Sequence, residues 1–148
     1  VLADLGCAVT LCERHAVLAA LLENAVHRLR CSEDPHLAAN GSRMQVLHAD
    51  AVSLMPVQVE SSDVIYLDPM FPAQRKALPA KDLQLLQLLL DDARIADPRG
   101  ECLLPWAREQ AVARVVVKRP RLAERLPGPD PGHSIVGKAV RFDVYPVN

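Results

Sequence analysis

The chain has 148 residues, a length that suits one domain of ordinary size and excludes a second substantial one. Half of its residues are apolar, 24% are charged and 3% are aromatic, a composition that excludes a disordered or fibrous protein. The formal net charge is −1, but the charges are unevenly distributed. Residues 1–68 carry nine acidic and four basic side chains, whereas residues 69–148 carry nine acidic and thirteen basic ones. Residues 114–141 hold seven basic and two acidic side chains, so this segment could contact phosphates or could be a solvated face.

The four cysteines show neither a C-x-x-C pair nor a histidine at zinc-ligand spacing, and no secretory signal precedes them. We therefore expect reduced core thiols in a cytoplasmic protein that holds no metal. Polar residues interrupt the most apolar stretches well before the roughly 20 residues that a bilayer span requires, so we expect no membrane partner. The cysteines are Cys7, Cys12, Cys31 and Cys102.

Apolar patterning predicts the elements in chain order. A short buried strand over residues 7–12 precedes a helix over residues 14–29, in which apolar positions such as Val17 and Leu21 recur every three or four residues. Residues 31–43 are predicted to be a polar loop. Further strands are predicted at 44–48, 63–68, 115–117, 134–136 and 139–145, further helices at 81–96 and 105–113, and a proline-rich loop at 120–132.

This order of strands and helices predicts an α/β domain whose sheet is mainly parallel, with an antiparallel edge formed by the two last strands. Ligands of such sheets bind outside the carboxyl ends of the strands. Three acidic residues, Glu13, Asp50 and Asp68, lie at or just past predicted strand ends. They could therefore line the same crevice.

Two of these acids have more than one interpretation. A carboxylate after a strand of a nucleotide-binding sheet, such as Glu13, can accept hydrogen bonds from both hydroxyls of a ribose. It can equally be the first residue of the following helix, stabilised by the helix dipole. Asp50 could accept a hydrogen bond from an adenine amine, or it could cap the short turn at residues 51–54. The residue types alone leave both pairs of interpretations open.

The most informative motif is Asp68-Pro69-Met70-Phe71, which directly follows the apolar residues 64–67. The exocyclic amine of a base is a poor nucleophile because its lone pair is delocalised into the ring, so it needs acceptors for its hydrogens. The Asp68 carboxylate can accept one hydrogen and the carbonyl of Pro69 the other, while Phe71 offers a face for base stacking worth about 1–3 kcal/mol. An ordinary turn is the alternative for an Asp-Pro pair.

Four segments of the chain resemble the RsmJ-type ribosomal RNA methyltransferases, which are S-adenosyl-L-methionine (SAM)-dependent enzymes with a Rossmann-like fold. In chain order the segments are 11–14 (LCER), 64–72 (VIYLDPMFP), 115–120 (VVVKRP) and 141–145 (RFDVY). The resemblance covers essentially the whole chain in order, and the DPMFP and VKRP blocks are specific to the family. The resemblance implies SAM as the cofactor and in-line methyl transfer to the N2 amine of a guanine in small-subunit (16S) ribosomal RNA.

The resemblance also implies two sets of site residues. The residues it assigns to the cofactor are Glu13, Arg14, Asp50, Ala51 and Asp68. The residues it assigns to catalysis are Asp68, Pro69 and Phe71. Asp50 and Ala51 depart from the pattern, because related sequences have a Ser-Ser pair there, although aspartate is an acceptable adenine partner in the wider class.

The resemblance further implies a preceding strand and a glycine-rich loop that holds the methionine end of the cofactor. The six glycines of this chain never form a G-x-G-x-x-G pattern, and Val1 opens inside a predicted helical segment. We expect residues 1–148 to be a single, partial methyltransferase domain without its first strand and cofactor loop. A chain of these 148 residues alone is expected to bind SAM poorly or not at all.

Ribosomal RNA is the partner that the family implies, with phosphate contacts from the basic residues near the strand ends and a solvated loop as the alternative. The expected RNA contacts are Arg75, Lys76, Lys118, Arg119 and Arg121. Three other functions stay open: a DNA or protein amine methyltransferase, a nicotinamide-dependent oxidoreductase with the same strand-end acid, and a noncatalytic remnant that binds RNA through its basic loop.

Overall fold

The computed structural model describes residues 1–53, 62–69, 100–111 and 113–147. The chain divides into two compact units, an N-terminal unit over Val1–Gln58 and a C-terminal unit over Val59–Asn148. The predicted helix at 81–96 lies outside the described residues. Each unit has its own sheet, and each sheet contains one pair of parallel strands.

The N-terminal unit alternates strands and helices. Its two strands pair in parallel, from Val9 opposite Met44 to Glu13 opposite His48. The carboxyl ends of both strands therefore lie at one edge, as the sequence predicts. Its elements are β1 (Val9–Glu13), α1 (Ala16–Arg30), α2 (Pro35–Ser42), β2 (Met44–His48) and a 3₁₀ turn (Ala51–Ser53).

Helix α1 packs through a narrower stripe than its apolar pattern predicts. Ala19 and Val26 are buried, but Val17 and Leu21, which the pattern places on the packed face, are 48% and 55% exposed. The end of the helix is fixed by Arg30, whose Nε donates to the carbonyl of Gly41 at 3.0 Å. A Cβ on Gly41 would lie 2.6 Å from the backbone nitrogen of Arg30, so a glycine is needed where α1 and α2 meet.

Helix α2 corrects the predicted loop at 31–43. Its N-cap is Asp34, whose Oδ1 accepts hydrogen bonds from the backbone N–H groups of His36 at 2.8 Å and Leu37 at 3.4 Å. Pro35 occupies the first helical position, where the missing N–H costs nothing. The Asp-Pro pair was thus a helix start signal that the polar composition of the segment concealed.

The C-terminal unit contains a four-stranded sheet in the order β3-β4-β6-β5. Strands β3 and β4 are parallel, whereas β6 is antiparallel to both β4 and β5, which gives the predicted antiparallel edge. Its elements are β3 (Val64–Leu67), α3 (Gly100–Gln110), β4 (Arg114–Pro120), β5 (His133–Val136) and β6 (Val140–Pro146).

Helix α3 and one face of this sheet form the core of the C-terminal unit. The helix begins five residues before the predicted start at Pro105, which it holds in its interior. Leu104 and Ala107 of the helix and Val115 and Val117 of β4 have no exposed surface. Among the residues that the structure describes, the buried cluster comprises Leu67, Leu104, Ala107, Ala111, Val115, Val117, Leu126 and Tyr145.

Two further expectations concern the cysteines and the membrane. All four cysteines are free, but all four belong to the exposed residues, so the prediction of core thiols is wrong. Cys12, for example, alternates with Leu11 along β1 and takes the more exposed face of that strand. Among the residues that the structure describes, no helix has both the length and the apolar character that a bilayer span requires.

Candidate functional site at the strand ends

Glu13 lies at the carboxyl end of β1, where the chain turns into α1. Its Oε1 accepts a hydrogen bond from the backbone N–H of His15, the N-cap of α1, at 2.7 Å. Glu13 is thus not the first residue of α1, because it lies two residues before the N-cap, but its carboxylate contacts the chain where the helix begins. The same contact uses only one oxygen, so the second carboxylate oxygen can still accept from a ribose hydroxyl.

Asp50 follows β2 and caps the 3₁₀ turn that begins at Ala51. Its Oδ1 accepts a hydrogen bond from the N–H of Val52 at 3.2 Å, and its carbonyl accepts one from Ser53 at 2.9 Å. The turn-capping interpretation of Asp50 is thus present in the structure. The contact of Asp50 with an adenine amine stays a prediction.

Glu13 and Asp50 both raise the pKa of the neighbouring Cys12 thiol. The Cys12 Sγ donates to the carbonyl of Ala49 at 3.2 Å, and the N–H of Ala49 donates to the carbonyl of Glu13 at 3.1 Å. Burial raises the pKa of the Cys12 thiol, and the negative charges of Glu13 and Asp50 raise it further. The two carboxylates thus make the electrostatic potential negative at this edge of the N-terminal unit. Arg14 follows Glu13 in the chain.

Asp68 lies one residue beyond β3 and pairs with Lys118 of β4. Because the parallel register sets Leu67 opposite Val117, the next residue on each strand is brought to the same sheet edge. The Nζ of Lys118 donates to Oδ2 of Asp68 at 2.7 Å. The sequence predicts both residues as site residues, but it places Lys118 against RNA rather than against the aspartate.

Tyr66 lies two residues before Asp68 and so shares its face of the sheet. Partial burial raises the pKa of the Tyr66 phenol, the charge of Asp68 raises it further, and Lys118 opposes the shift. The hydrogen bond from Lys118 to Asp68 raises the pKa of that lysine. The three side chains are therefore electrostatically coupled, with one acid and one base in direct contact.

Arg119 does not lie where the prediction of an RNA contact requires it. Strand alternation puts it on the same face as Val115 and Val117, and it is 7% exposed. Its Nη2 donates to the carbonyl of Glu124 in the proline-rich loop. The side chain thus anchors the loop from inside the unit, which does not support the expected phosphate contact.

A second buried arginine anchors the same loop. Arg141 lies opposite Arg119 in the β4–β6 pair, and its Nη1 donates to the carbonyls of Arg121 at 3.0 Å and Ala123 at 2.7 Å. Its Nε lies 3.0 Å from both oxygens of Asp143, which is fully buried. Ser134 donates to Oδ1 of the same aspartate at 2.6 Å.

The anchored loop presents Arg121 at the surface. It borders a surface pocket of about 330 Å³, which is lined by Pro120, Arg121, Leu122, Lys138 and Ala139. Within the described part of the chain, neither Arg121 nor Lys138 has an acidic partner, whereas Arg125 is paired with Asp130. Lys138 is a basic pocket residue that is not among the predicted RNA contacts, although it belongs to the basic segment 114–141.

The strand-end residues fall into two groups in the structure. Glu13, Arg14, Asp50 and Ala51 belong to the carboxyl edge of the sheet in the N-terminal unit. Asp68, Pro69 and Lys118 belong to that of β3 and β4 in the C-terminal unit. The predicted sites at Phe71, Arg75 and Lys76 lie outside the described residues. Within the described ranges, no group of three or more metal-ligating side chains could hold a metal ion.

The sequence profile of one family, SAM-dependent methyltransferase, matches residues 1–147. The chain is 45% identical over 148 residues to ribosomal RNA small subunit methyltransferase J of Pseudomonas aeruginosa (strain LESB58), covering 99% of this chain and 54% of that protein. It is 46% identical over 147 residues to the protein of the same name in Laribacter hongkongensis, covering 98% of this chain and 50% of that protein. The chain thus spans about half the length of these curated relatives.

A solved structure supports the same assignment. The crystal structure of a SAM-dependent methyltransferase from Neisseria gonorrhoeae matches with a TM-score of 0.75 at 35% identity, over 99% of this chain and 55% of that one. This match confirms the predicted α/β fold class of a Rossmann-like methyltransferase. With a family profile that covers all but one residue, it leaves the nicotinamide-dependent alternative without support. The chain belongs to the SAM-dependent methyltransferase family.

Proposed function

We propose that the protein transfers the methyl group of SAM to the N2 amine of a guanine in small-subunit ribosomal RNA. The proposal rests on the position of Asp68, a carboxylate at the carboxyl end of a parallel strand, followed by Pro69. The shared name of the relatives from Pseudomonas aeruginosa and Laribacter hongkongensis supports the choice of ribosomal RNA as the substrate. Such a substrate implies that the protein acts in the cytoplasm.

The residues of the N-terminal unit fit the cofactor. Glu13 keeps one carboxylate oxygen for the ribose hydroxyls while the other is held by the N–H of His15. Asp50, at the carboxyl end of β2, is the proposed acceptor for the adenine amine. Arg14 and Ala51 are the other expected cofactor contacts in this unit, and Asp68 is the expected contact in the C-terminal unit. When bound, SAM supplies an electrophilic methyl carbon, so the protein needs no covalent intermediate.

The residues of the C-terminal unit would act on the acceptor amine. Asp68 accepts a hydrogen bond from one N–H of guanine N2, and the carbonyl of Pro69 accepts one from the other. These contacts would hold the nitrogen lone pair towards the methyl carbon and offset the positive charge that develops on nitrogen as the N–C bond forms and the C–S bond breaks. S-adenosylhomocysteine would leave, and the surplus amine proton would pass to solvent. Phe71 is proposed to stack on the guanine ring. Catalysis on this account consists of positioning and electrostatics.

The surface near the end of β4 supplies cations for the RNA backbone. Arg121 and Lys138 border one pocket and lack acidic partners among the described residues. Arg125 is less suited because Asp130 neutralises it. The proposed RNA surface therefore centres on Arg121 and Lys138, with Arg75 and Lys76 as further proposed contacts.

The test is to identify the product. The gene product at its encoded length would be incubated with methyl-labelled SAM and one acceptor at a time: 16S ribosomal RNA, assembled small subunits or DNA. The nucleosides of each acceptor would then be analysed by mass spectrometry. We expect label as N2-methylguanosine in ribosomal RNA or in subunits. Label confined to DNA or to ribosomal proteins, or label on another base, would contradict the proposal.

A further inference from the structure

The pairing of Asp68 with Lys118 adds a residue to the proposed reaction. Both side chains follow directly from the parallel register of β3 and β4, and Lys118 Nζ lies 2.7 Å from Asp68 Oδ2. We infer that Lys118 is a positioning residue, which holds Oδ2 of Asp68 and leaves Oδ1 to accept from the target amine. The inference rests on the proposed function, since it assigns Asp68 to that amine.

The exposure of the pair indicates that it is not needed for folding. The side chains of Lys118 and Asp68 are 36% and 48% exposed. Ion pairs as accessible as this one stabilise a protein by only about 0–1 kcal/mol. The accessibility also means that a ligand can reach the carboxylate without opening the core. The pair thus contributes little to stability, and a substrate can reach it from solvent.

The hydrogen-bonding capacity of the carboxylate explains what the lysine would contribute. An aspartate at the end of a strand can rotate, and each of its oxygens can accept hydrogen bonds. Within the described part of the chain, Lys118 is the donor to Asp68, and it engages Oδ2. Fixing one oxygen limits the orientations of the other, so the acceptor is in place before the amine arrives.

The contact also argues against the sequence-based role of Lys118. A lysine that binds an RNA phosphate needs an ammonium that is free to pair with it, but the Lys118 ammonium already pairs with a carboxylate. The bond to Asp68 also raises the pKa of Lys118, so the lysine stays charged over the whole physiological range. Arg121 and Lys138 have no such partner within the described ranges and suit phosphates better.

The experiment compares three variants of the gene product at its encoded length: Lys118→Gln, Lys118→Arg and Lys138→Gln. Steady-state kcat and KM for RNA would be measured, together with RNA affinity at several salt concentrations and thermal melts to check folding. For Lys118→Gln we expect a fall in kcat on the order of 10- to 100-fold with little change in KM for RNA. Lys118→Arg should restore part of the rate, because arginine can still donate to the carboxylate.

Lys138→Gln is the matched control for loss of one positive charge near the strand ends. If Lys138 contacts a phosphate, its removal raises KM for RNA and lowers the salt slope of binding by about one. The same pattern for Lys118→Gln, with kcat unchanged, would overturn our inference and return Lys118 to a phosphate contact. Wild-type kcat and KM in Lys118→Gln would also overturn it.

A second measurement separates this inference from the proposed function. NMR titration of the Lys118 side chain should show that Asp68→Asn lowers the pKa of the lysine towards its ordinary value, because the charged acceptor is gone. An unchanged pKa would mean that the contact does not form in solution, which overturns the inference whatever the enzyme methylates. A wild-type protein that methylates no ribosomal RNA would instead refute the proposed function, and with it the role of Lys118 in that reaction.

Discussion

Glu13 and Asp50 in the N-terminal unit each accept a hydrogen bond from a backbone N–H two residues along the chain. Asp68 in the C-terminal unit instead pairs with a side chain fifty residues away. A local cap forms after many strands and does not by itself indicate a ligand. A partner that depends on the pairing of β3 with β4 is a more specific arrangement, and it makes Asp68 the better-supported functional acid.

The cores of the two units differ in the size of their buried apolar side chains. In the described part of the N-terminal unit, residues 1–53, the buried apolar residues are the small or medium-sized Ala3, Ala19 and Val26. The C-terminal unit buries a cluster built on larger side chains, among them Leu104 and Tyr145. We therefore expect most of the stability of the described structure to come from the C-terminal unit, which also holds Asp68.

The largest expected effect comes from the buried charge at Asp143. Asp143→Asn removes the carboxylate that faces Arg141 and leaves a guanidinium that is 13% exposed without its counter-charge. Breaking a buried pair in this way costs about 3–5 kcal/mol. Urea unfolding should report this loss, and because Arg141 holds the loop carbonyls, proteolysis at residues 121–132 should accelerate. A variant within 1 kcal/mol of wild type would contradict the buried network.

Truncation of the apolar core tests the comparison of the two cores. Leu104 has no exposed surface, so Leu104→Ala should lower the free energy of unfolding by about 2–5 kcal/mol. Leu21→Ala is the control, because it makes the same chemical change at a residue of α1 that is 55% exposed. It should lower the free energy of unfolding by less than about 0.5 kcal/mol. Equal losses in the two variants would refute the difference between the units.

Glu13→Gln tests whether the strand-end acid of the N-terminal unit binds a ligand besides capping α1. Glutamine can still accept from the N–H of His15, but it lacks the charge that makes a hydrogen bond to a ribose hydroxyl contribute about 1.5–3 kcal/mol rather than about 1 kcal/mol. Calorimetry on the gene product at its encoded length should show roughly 10- to 100-fold weaker SAM binding with an unchanged melting temperature. Unchanged affinity would leave Glu13 with the capping role alone.

The smallest expected effect concerns the cap of α2. Asp34→Ala removes the acceptor of two backbone N–H groups and should cost about 1 kcal/mol, measured by chemical denaturation. Asp34→Ser keeps a capping oxygen and serves as the control, with a loss of a few tenths of a kcal/mol. An alanine variant as stable as the serine variant would show that Asp34 does not hold the helix start.

The fold class was predictable from the sequence because apolar strands alternate with amphipathic helices, and strands such as Met44–His48 have clear limits. The strand-end positions of the candidate acids were predictable because each acid follows an apolar strand. Helix α2 was missed because its segment is rich in polar residues and its start signal, Asp34-Pro35, is equally typical of a turn. The burial of Arg119 was foreseeable, since it continues the alternation of Val115 and Val117.

The pairing of Lys118 with Asp68 was not predictable from local sequence. It depends on the register of β3 against β4, which brings together residues from distant parts of the chain. The exposed positions of α1 are similar, because an apolar pattern states which residues can pack but not which of them find a neighbour. Long-range pairing and packing therefore carry the information that local patterns lack.

The central claim is that Asp68 orients the amine that receives the methyl group, and the most direct measurement is the single-turnover rate of Asp68→Asn. Loss of the charged acceptor should lower the rate of N2-methylguanosine formation by roughly 10²- to 10³-fold. Binding of SAM and of ribosomal RNA should change little by comparison. A variant that forms N2-methylguanosine at the wild-type rate would contradict the account.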